Sequence, residues 1–596
     1  MRRKVIAVMM AVLLAGTAAC GNKTETGEQN IPTTSVVVEQ TEESVAGTIK
    51  ADMLPSADGE VKTEELKTLA QQADLEQATH ITAAGGEIKI DGAGCEAEDG
   101  TIRITEAGTY VLNGTLENGS IIVDADKDSM IYLVLNGVQI TNPNGAAIYG
   151  KKAEKLVITL ADGTTNVLTD GSEYVFAEGE DEPDATLFAK QDLLINGEGA
   201  LTINANYGDA MKGKDSVYLF SGSYEIHAED EGITGKDLLY IQNGTYAIQA
   251  AGDALKASND TDETLGNLVI EDGTFTISSE DDAIHAENGL VIYGGDITVT
   301  KSYEGLEGAF IDIYGGNICV TASDDGINAA GGSSETTQGM FGFGGMMSSG
   351  NYEMNFHGGT VLVNAEGDGL DANGKISMDG GTLVVYGPEN GANGALDYDS
   401  DFTISGGTLL VTGSAGMAQT PSSSSAQNTI SAVFASSQKA ESEVTVTAAD
   451  GTELCKVTVP KQFQQFVYSS ADIKTGETYT LSVNGEALLE GTIENTVTSF
   501  GNAGMGGFGG FGGGFGKGGF EGRTDGEFEE GFGGFPNRER PNGEMPNGGF
   551  SNGEMPEGEL PNGGFPNGEM PNRELPEDFT GGNHPEQGIP SGTEEV

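Results

Sequence analysis

The 596-residue sequence has no tryptophan, only 5 histidines and 4 cysteines, and 29 basic residues against 92 acidic ones. Without tryptophan there is no flat indole platform for a ligand to stack on. A formal charge of −63 argues against nucleic acid or an anionic lipid surface as a direct partner and favours cations. No arginine occurs between Arg103 and Arg523, so most of the chain offers no guanidinium for catalysis or anion binding. Beyond the first 20 residues no apolar run is long enough to span a bilayer. Besides Cys20, the cysteines are Cys95, Cys319 and Cys455, far apart and odd in number, which implies neither a disulfide framework nor zinc-ligand spacing.

Glycine is abundant, at 92 residues, and much of it falls in a repeat. From Gly208 to Val411 the pattern apolar-x-apolar, a turn ending in glycine, then x-apolar-x-apolar returns as VYLFSGSYEI at 217, LYIQNGTYAI at 239, LVIEDGTFTI at 268 and LVIYGGDITV at 290. It continues as IDIYGGNICV at 311, MNFHGGTVLV at 354, ISMDGGTLVV at 376 and FTISGGTLLV at 402. The turn glycines, from Gly222 to Gly407, are separated by 22, 29, 22, 21, 43, 22 and 26 residues. A base period near 22 with insertions suits a parallel β-helix, in which each coil is three short strands and three turns. The alternation points Tyr224, Tyr246, Phe275, Ile297, Ile318, Val361, Leu383 and Leu409 inward as one stacked column. Cys319, between two inward residues, points outward.

An acidic-small-apolar triplet rides on the same period, in GDAMK at 208, DEGIT at 230, GDALK at 252, DDAIH at 281, YEGLE at 303, DDGIN at 324 and GDGLD at 367. Its acidic slot holds Asp209, Glu231, Asp253, Asp282, Glu304, Asp325 and Asp368, and Asp230, Asp281, Asp324, Glu307 and Asp371 thicken it. Equivalent positions on neighbouring coils are about 4.8 Å apart. At that distance two bare carboxylates repel by roughly 1 kcal/mol in water and about 3 to 4 kcal/mol at an effective dielectric near 20. Such a ladder is a ready site for calcium (Ca2+), which takes six to eight oxygen ligands. The alternative is that these acids cap turns and stay solvated. No EF-hand loop or GGxGxD repeat is present, so the signal is positional.

The start, MRRKVIAVMMAVLLAGTAAC, has the basic, apolar and small-residue regions of a secretory signal. Its Cys20 resembles a bacterial lipoprotein cleavage and lipidation site, although Thr17 stands where leucine is usual. Residues 1–20 are therefore expected to be the lipoprotein signal and 21–71 a polar tether, with a short helix at VKTEELKTLAQQ. The β-helix is expected over 72–412, a C-terminal β cap over 413–500, and a disordered Gly/Pro-rich tail over 501–596. The Gly, Met and Phe-rich insertion at 331–352 accounts for the step of 43 and either lies over a binding face or is a flexible excursion.

GTYVLNGTLENGSIIVDA, IYLVLNGVQITNPNGAAIYGKKAEKLVITLADGTTNVLTDG, the acidic ladder and GETYTLSVNG together resemble a family of secreted bacterial carbohydrate-binding β-helix domains. Its members are often lipid-anchored and are pectate-lyase-like in shape. The resemblance spans roughly residues 72–500. It implies an all-β, right-handed parallel β-helix, calcium along one edge, and binding of cellulose and acidic sugars such as polygalacturonate. Cellular placement would then be the outer face of the membrane, touched through the lipid only.

The residues favour a binder over an enzyme. A uronate lyase needs a cation and a base for the C5 proton. The only base candidates are Lys212 and Lys256, which are equally counterions for the ladder. A glycoside hydrolase needs converging acids. Asp281–Asp282 and Asp324–Asp325 are pairs without companion motifs, and His227, His285 and His357 are expected to be isolated surface residues. Tyr218, Tyr240, Tyr293, Tyr303 and Tyr314 are candidates for sugar-stacking rings. A third possibility is a structural adhesin that uses the solenoid as a spacer.

Overall fold

A computed structural model describes residue 68 and residues 73–84, 86–176, 179–262, 264–330 and 352–501. Cys20, the tether apart from residue 68, residues 331–351 of the insertion and residues 502–596 of the tail lie outside these. The described chain is all-β and forms a parallel β-solenoid of about 11 turns. Among the described residues no helix is long and apolar enough to cross a membrane.

One coil shows how the repeat works. Asp209–Gly213 belongs to sheet A, Ser216–Leu219 to sheet B and Ser223–Ala228 to sheet C. The chain then returns to sheet A as Ile233–Gly235, which lies parallel to the first strand with Met211 opposite Ile233. The sheet C column from Tyr224 to Leu409 is buried as the alternation requires. Its first three rings stack inside the coil, with centroids 4.8 and 4.7 Å apart for Tyr224–Tyr246 and Tyr246–Phe275. The Tyr224 hydroxyl donates to the Ser221 carbonyl at 2.7 Å, so burying the phenol leaves no polar group unsatisfied. The apolar residue of each acidic triplet supplies a second column, Met211, Ile233, Leu255, Ile284, Leu306, Ile327 and Leu370, continued by Leu396. All eight have no exposed surface, and each is worth about 1.5 to 3 kcal/mol of apolar burial. The apolar residue of each triplet therefore opens a strand of sheet A and its acid stands in the turn before it, except in the first, where Asp209 itself begins the strand.

Glycine is required where one turn lies directly on the next. Gly359 has φ +75°, and a Cβ there would fall 2.7 Å from the Gly315 carbonyl carbon and the Gly316 oxygen. A side chain would separate the coils.

Both ends of the stack are closed. At the start, Thr79–Ala84 pairs antiparallel with Glu87–Asp91, and Cys95–Glu98 with Thr101–Ile104. At the far end Phe463–Ser469 adds antiparallel to Thr408–Gly413, and Thr429–Gln438 and Val497–Phe500 extend the same sheet. The C-terminal segment does more than cover the open edge. A separate four-stranded sheet carrying Val444, Val446, Val457 and Leu481 packs with Val384, Tyr386 and Leu410, which project outward from sheet C. Here the outward column turns apolar, through Cys319, Leu362, Val384 and Leu410, because both faces are covered. Lys461, itself buried, donates to the Ala365 carbonyl at 2.6 Å and ties this segment to the coil below.

Candidate functional site

The turn from sheet C into sheet A brings the acids into register. Sheet A pairing aligns a second column beside the slot acids: Lys212, Thr234, Lys256, His285, Glu307, Asn328, Asp371 and Asp397. The two columns divide the edge into unlike halves.

In the first half every slot acid is answered by a cation. Lys212 Nζ lies 3.2 Å from Asp209 and 2.8 Å from Asp184. Lys256 Nζ lies 2.8 Å from Glu231 and 2.9 Å from Asp253. His285 Nδ1 lies 3.2 Å from Asp282 and 2.6 Å from Glu307. His285 is thus not the isolated surface residue expected: its side chain is only 12% exposed and sits among carboxylates. Burial opposes its charge, but hydrogen bonds with Asp282, Glu287 and Glu307 outweigh that and lift its pKa to about 12. Burial likewise opposes ionisation of Glu231, yet the Lys256 charge prevails and brings it down to about 2.

In the second half no basic side chain of the described residues answers. Carboxylate oxygens of Asp325, Asp368 and Asp371 lie within 4.8 Å of one another, and Asp397 is in register with Asp371. Among the described residues none of these four forms an ion pair. Burial, then the repulsion of Asp325, Asp397 and Asp368, pushes Asp371 up to about 7. Burial and neighbouring acids push Asp325 to about 6. Glu304 goes to about 8, burial outweighing the hydrogen bond from Asn328.

The slot acids also serve the backbone. Asp253 Oδ1 accepts from the Asp282 amide at 3.0 Å, Asp282 Oδ1 from the Glu304 amide at 3.2 Å, and Asp325 Oδ1 from the Asp368 amide at 2.6 Å. One oxygen of each therefore stitches a coil to the next; the other is taken by Lys256 at Asp253 and by His285 at Asp282, and among the described residues meets no basic side chain at Asp325. At Asp325 turn chemistry and a cation site are therefore compatible on one residue.

The second half fits a hard cation on its donor set. Three converging carboxylates are joined by Asn328, which is buried and in register with Asp371. Its Nδ2 donates to Glu304 at 2.9 Å while its Oδ1 has no partner. A buried carbonyl oxygen without a donor, set among carboxylates, is the kind of ligand calcium takes. The other three acid clusters, Asp209–Asp230–Glu231, Asp253–Asp282–His285 and Asp282–Glu304–Glu307, each contain at least one acid already paired with Lys212, Lys256 or His285. Asp281 and Asp324 flank the slot from outside.

Asn328 and Asp397 are the residues that reading the chain for acids passed over. Asn328 is not an acid. Asp397 sits in GALDYD, where the slot itself is Gly394, but its spacing from Asp371 repeats the 26-residue step of the last turn.

The five tyrosines separate. Tyr218 and Tyr240 are buried beneath an outer apolar cluster, so neither presents a ring face to a ligand. Tyr293 and Tyr314 stack on each other at 5.1 Å, and Tyr314 on His357 at 4.6 Å, so both faces of Tyr314 and one face of Tyr293 are occupied. His357 also contacts Asp312 and Asp379, and the half-exposed His227 contacts Gln249 and Glu225, so neither is isolated. Tyr303 alone of the five is well exposed, at 47%, and it stands on the acidic edge. Its hydroxyl is hydrogen-bonded to Asp324, which pushes its pKa up to about 12.

Residues 98–344 match the family described as "Carbohydrate-binding domain-containing protein". A protein of that description from Acetivibrio thermocellus is 39% identical over 136 residues, which is 23% of this chain and 48% of that protein. The chain thus spans about half the length of that relative. The solved structure of the polysaccharide lyase-like protein from C. thermocellum, a gadolinium derivative, is 31% identical, with 43% of this chain and 98% of that chain covered at a TM-score of 0.37.

Proposed function

We propose that this chain is an extracellular, lipid-anchored protein that captures polysaccharide without cleaving it, using calcium at the second half of the acidic edge. Polygalacturonate and cellulose are the ligands the reading names. The observation that carries it is the cluster of Asp325, Asp368 and Asp371, which has no basic partner among the described residues while the preceding coils have Lys212, Lys256 and His285. The match of residues 98–344 to a carbohydrate-binding family supports polysaccharide as the ligand class.

The three aspartates, with Asn328 Oδ1, would hold the ion, which would supply positive charge and open coordination positions for a uronate carboxylate. Asp397 adds to the negative field and Tyr303 offers an exposed ring beside it. A polyanion meeting a protein of charge −63 is repelled unless a divalent ion intervenes. The absence of catalysis rests on the lysines. Lys212 and Lys256 each stand between two carboxylates, which raise their pKa and keep them protonated, unfit to remove a proton. Retention of the protein on immobilised polygalacturonate in calcium, and its release by chelator, is the expected result; undiminished retention in chelator would end the reading.

A further inference from the structure

We infer that a second glycan-contact cleft, for an uncharged chain, lies at the corner between sheets B and C of the early coils. It rests on the reading that the protein binds polysaccharide, but uses a different corner from the acids. The cleft has a volume of about 610 Å³. Its floor is a register ladder of Val134, Thr159, Asn196, Phe220 and Gln242, one from each of five successive coils. Four steps of about 4.8 Å give a trough of roughly 19 Å along the helix axis. A trough of that length accepts an extended oligomer and is poorly used by a single small molecule.

Its chemistry points to hydroxyl donors. Asn196 is only 9% exposed, lines the cleft, and its Oδ1 has no hydrogen-bond partner. A buried carbonyl left without a donor costs about 1 to 3 kcal/mol, and a turn of the amide toward the cleft would present that oxygen to a ligand hydroxyl. Asp162 and Glu198 add acceptors at the rim, and among the described residues no lysine, arginine or histidine lines the cleft. A uronate chain would be repelled there, since no cation is provided. Phe220 supplies apolar surface beside these acceptors, held in place by Tyr240 edge-to-face at 6.2 Å. Apolar surface flanked by hydrogen-bond acceptors suits a sugar, whose rings present C–H faces and hydroxyl edges.

The test is calorimetric titration of the full chain with cellohexaose in chelator, for the wild type, Gln242→Trp and Asn196→Ala. Gln242→Trp fills the trough from a partly exposed position, so its fold does not depend on the change; melting curves and polygalacturonate capture in calcium serve as checks. Binding by the wild type in chelator, weakened at least tenfold by Gln242→Trp and by Asn196→Ala but unchanged by Asp371→Asn, supports the cleft. No wild-type binding of cellohexaose, or binding as tight as the wild type's in either cleft variant, overturns it. Should calcium-dependent capture of polygalacturonate persist in that case, only the cleft falls; loss of both ligands removes the underlying reading as well.

Discussion

Replacing Asp371 by asparagine should stabilise the metal-free protein and blunt its response to calcium, an unusual pairing of effects that follows from the acid cluster. Asp371 faces Asp325, Asp368 and Asp397, and its pKa is pushed from the ordinary 3.8 to about 7 by burial and then by those charges. At 1.36 kcal/mol per pKa unit, holding it ionised at neutral pH and above costs up to roughly 4 kcal/mol, and solvent at the edge reduces that figure. Asparagine keeps the shape and removes the charge. In chelator at pH 8 the variant should unfold about 1 to 3 kcal/mol harder than the wild type, seen in urea titration with an unchanged slope. Saturating calcium should reverse the order, because an ion at about 1,000 times its dissociation constant stabilises the folded state by about 4.1 kcal/mol and the variant lacks a ligand for it. A variant less stable than the wild type in chelator, with its calcium response intact, would refute the reasoning.

Three further outcomes are expected. Lys256→Met leaves Glu231 and Asp253 without their shared counterion and should cost about 3 to 5 kcal/mol, read by urea unfolding; a loss under 1 kcal/mol would show that the pairs matter little. In chelator, stability should rise as pH falls from 8 towards 5. Folded-state values of about 8 for Glu304, 7 for Asp371 and 6 for Asp325 exceed their unfolded values near 4, so the folded chain binds more protons across that window; a flat or falling melting temperature would contradict this. Gly359→Ala should lower the melting temperature by several degrees, since a left-handed alanine costs about 1 to 2 kcal/mol before its Cβ meets the turn beneath; an unchanged melting curve would show that the turns are not in contact.

The β-helix was legible because its two signals, turn glycine and alternating apolar residues, recur on one period that the backbone geometry dictates. The Tyr224-to-Leu409 column could be named from the chain because one residue per coil meets the same environment. The lateral packing of the C-terminal sheet was less legible, although GTVLV, GTLVV and GTLLV had already lost the alternation kept by GSYEI. An apolar residue at the outward position of a strand marks a covered face, and only the structure says what covers it. The acidic slot was visible as a composition pattern, but its division was not. Whether Lys212 neutralises Asp209 depends on which residue three positions on shares its face, and sheet A register settles that. Asn328 was missed because its contribution is an unpartnered carbonyl, a property of its surroundings rather than of its residue type.

The coils carrying Asp325, Asp368 and Asp371 should take up a divalent cation that the lysine-answered coils do not. Equilibrium dialysis against radioactive calcium at pH 7.5 measures this, comparing the wild type with Asp325→Asn/Asp371→Asn and with Asp209→Asn/Asp253→Asn. The first double variant should lose bound calcium while the second retains the wild-type amount. Equal calcium on all three proteins, or none on the wild type, would contradict it.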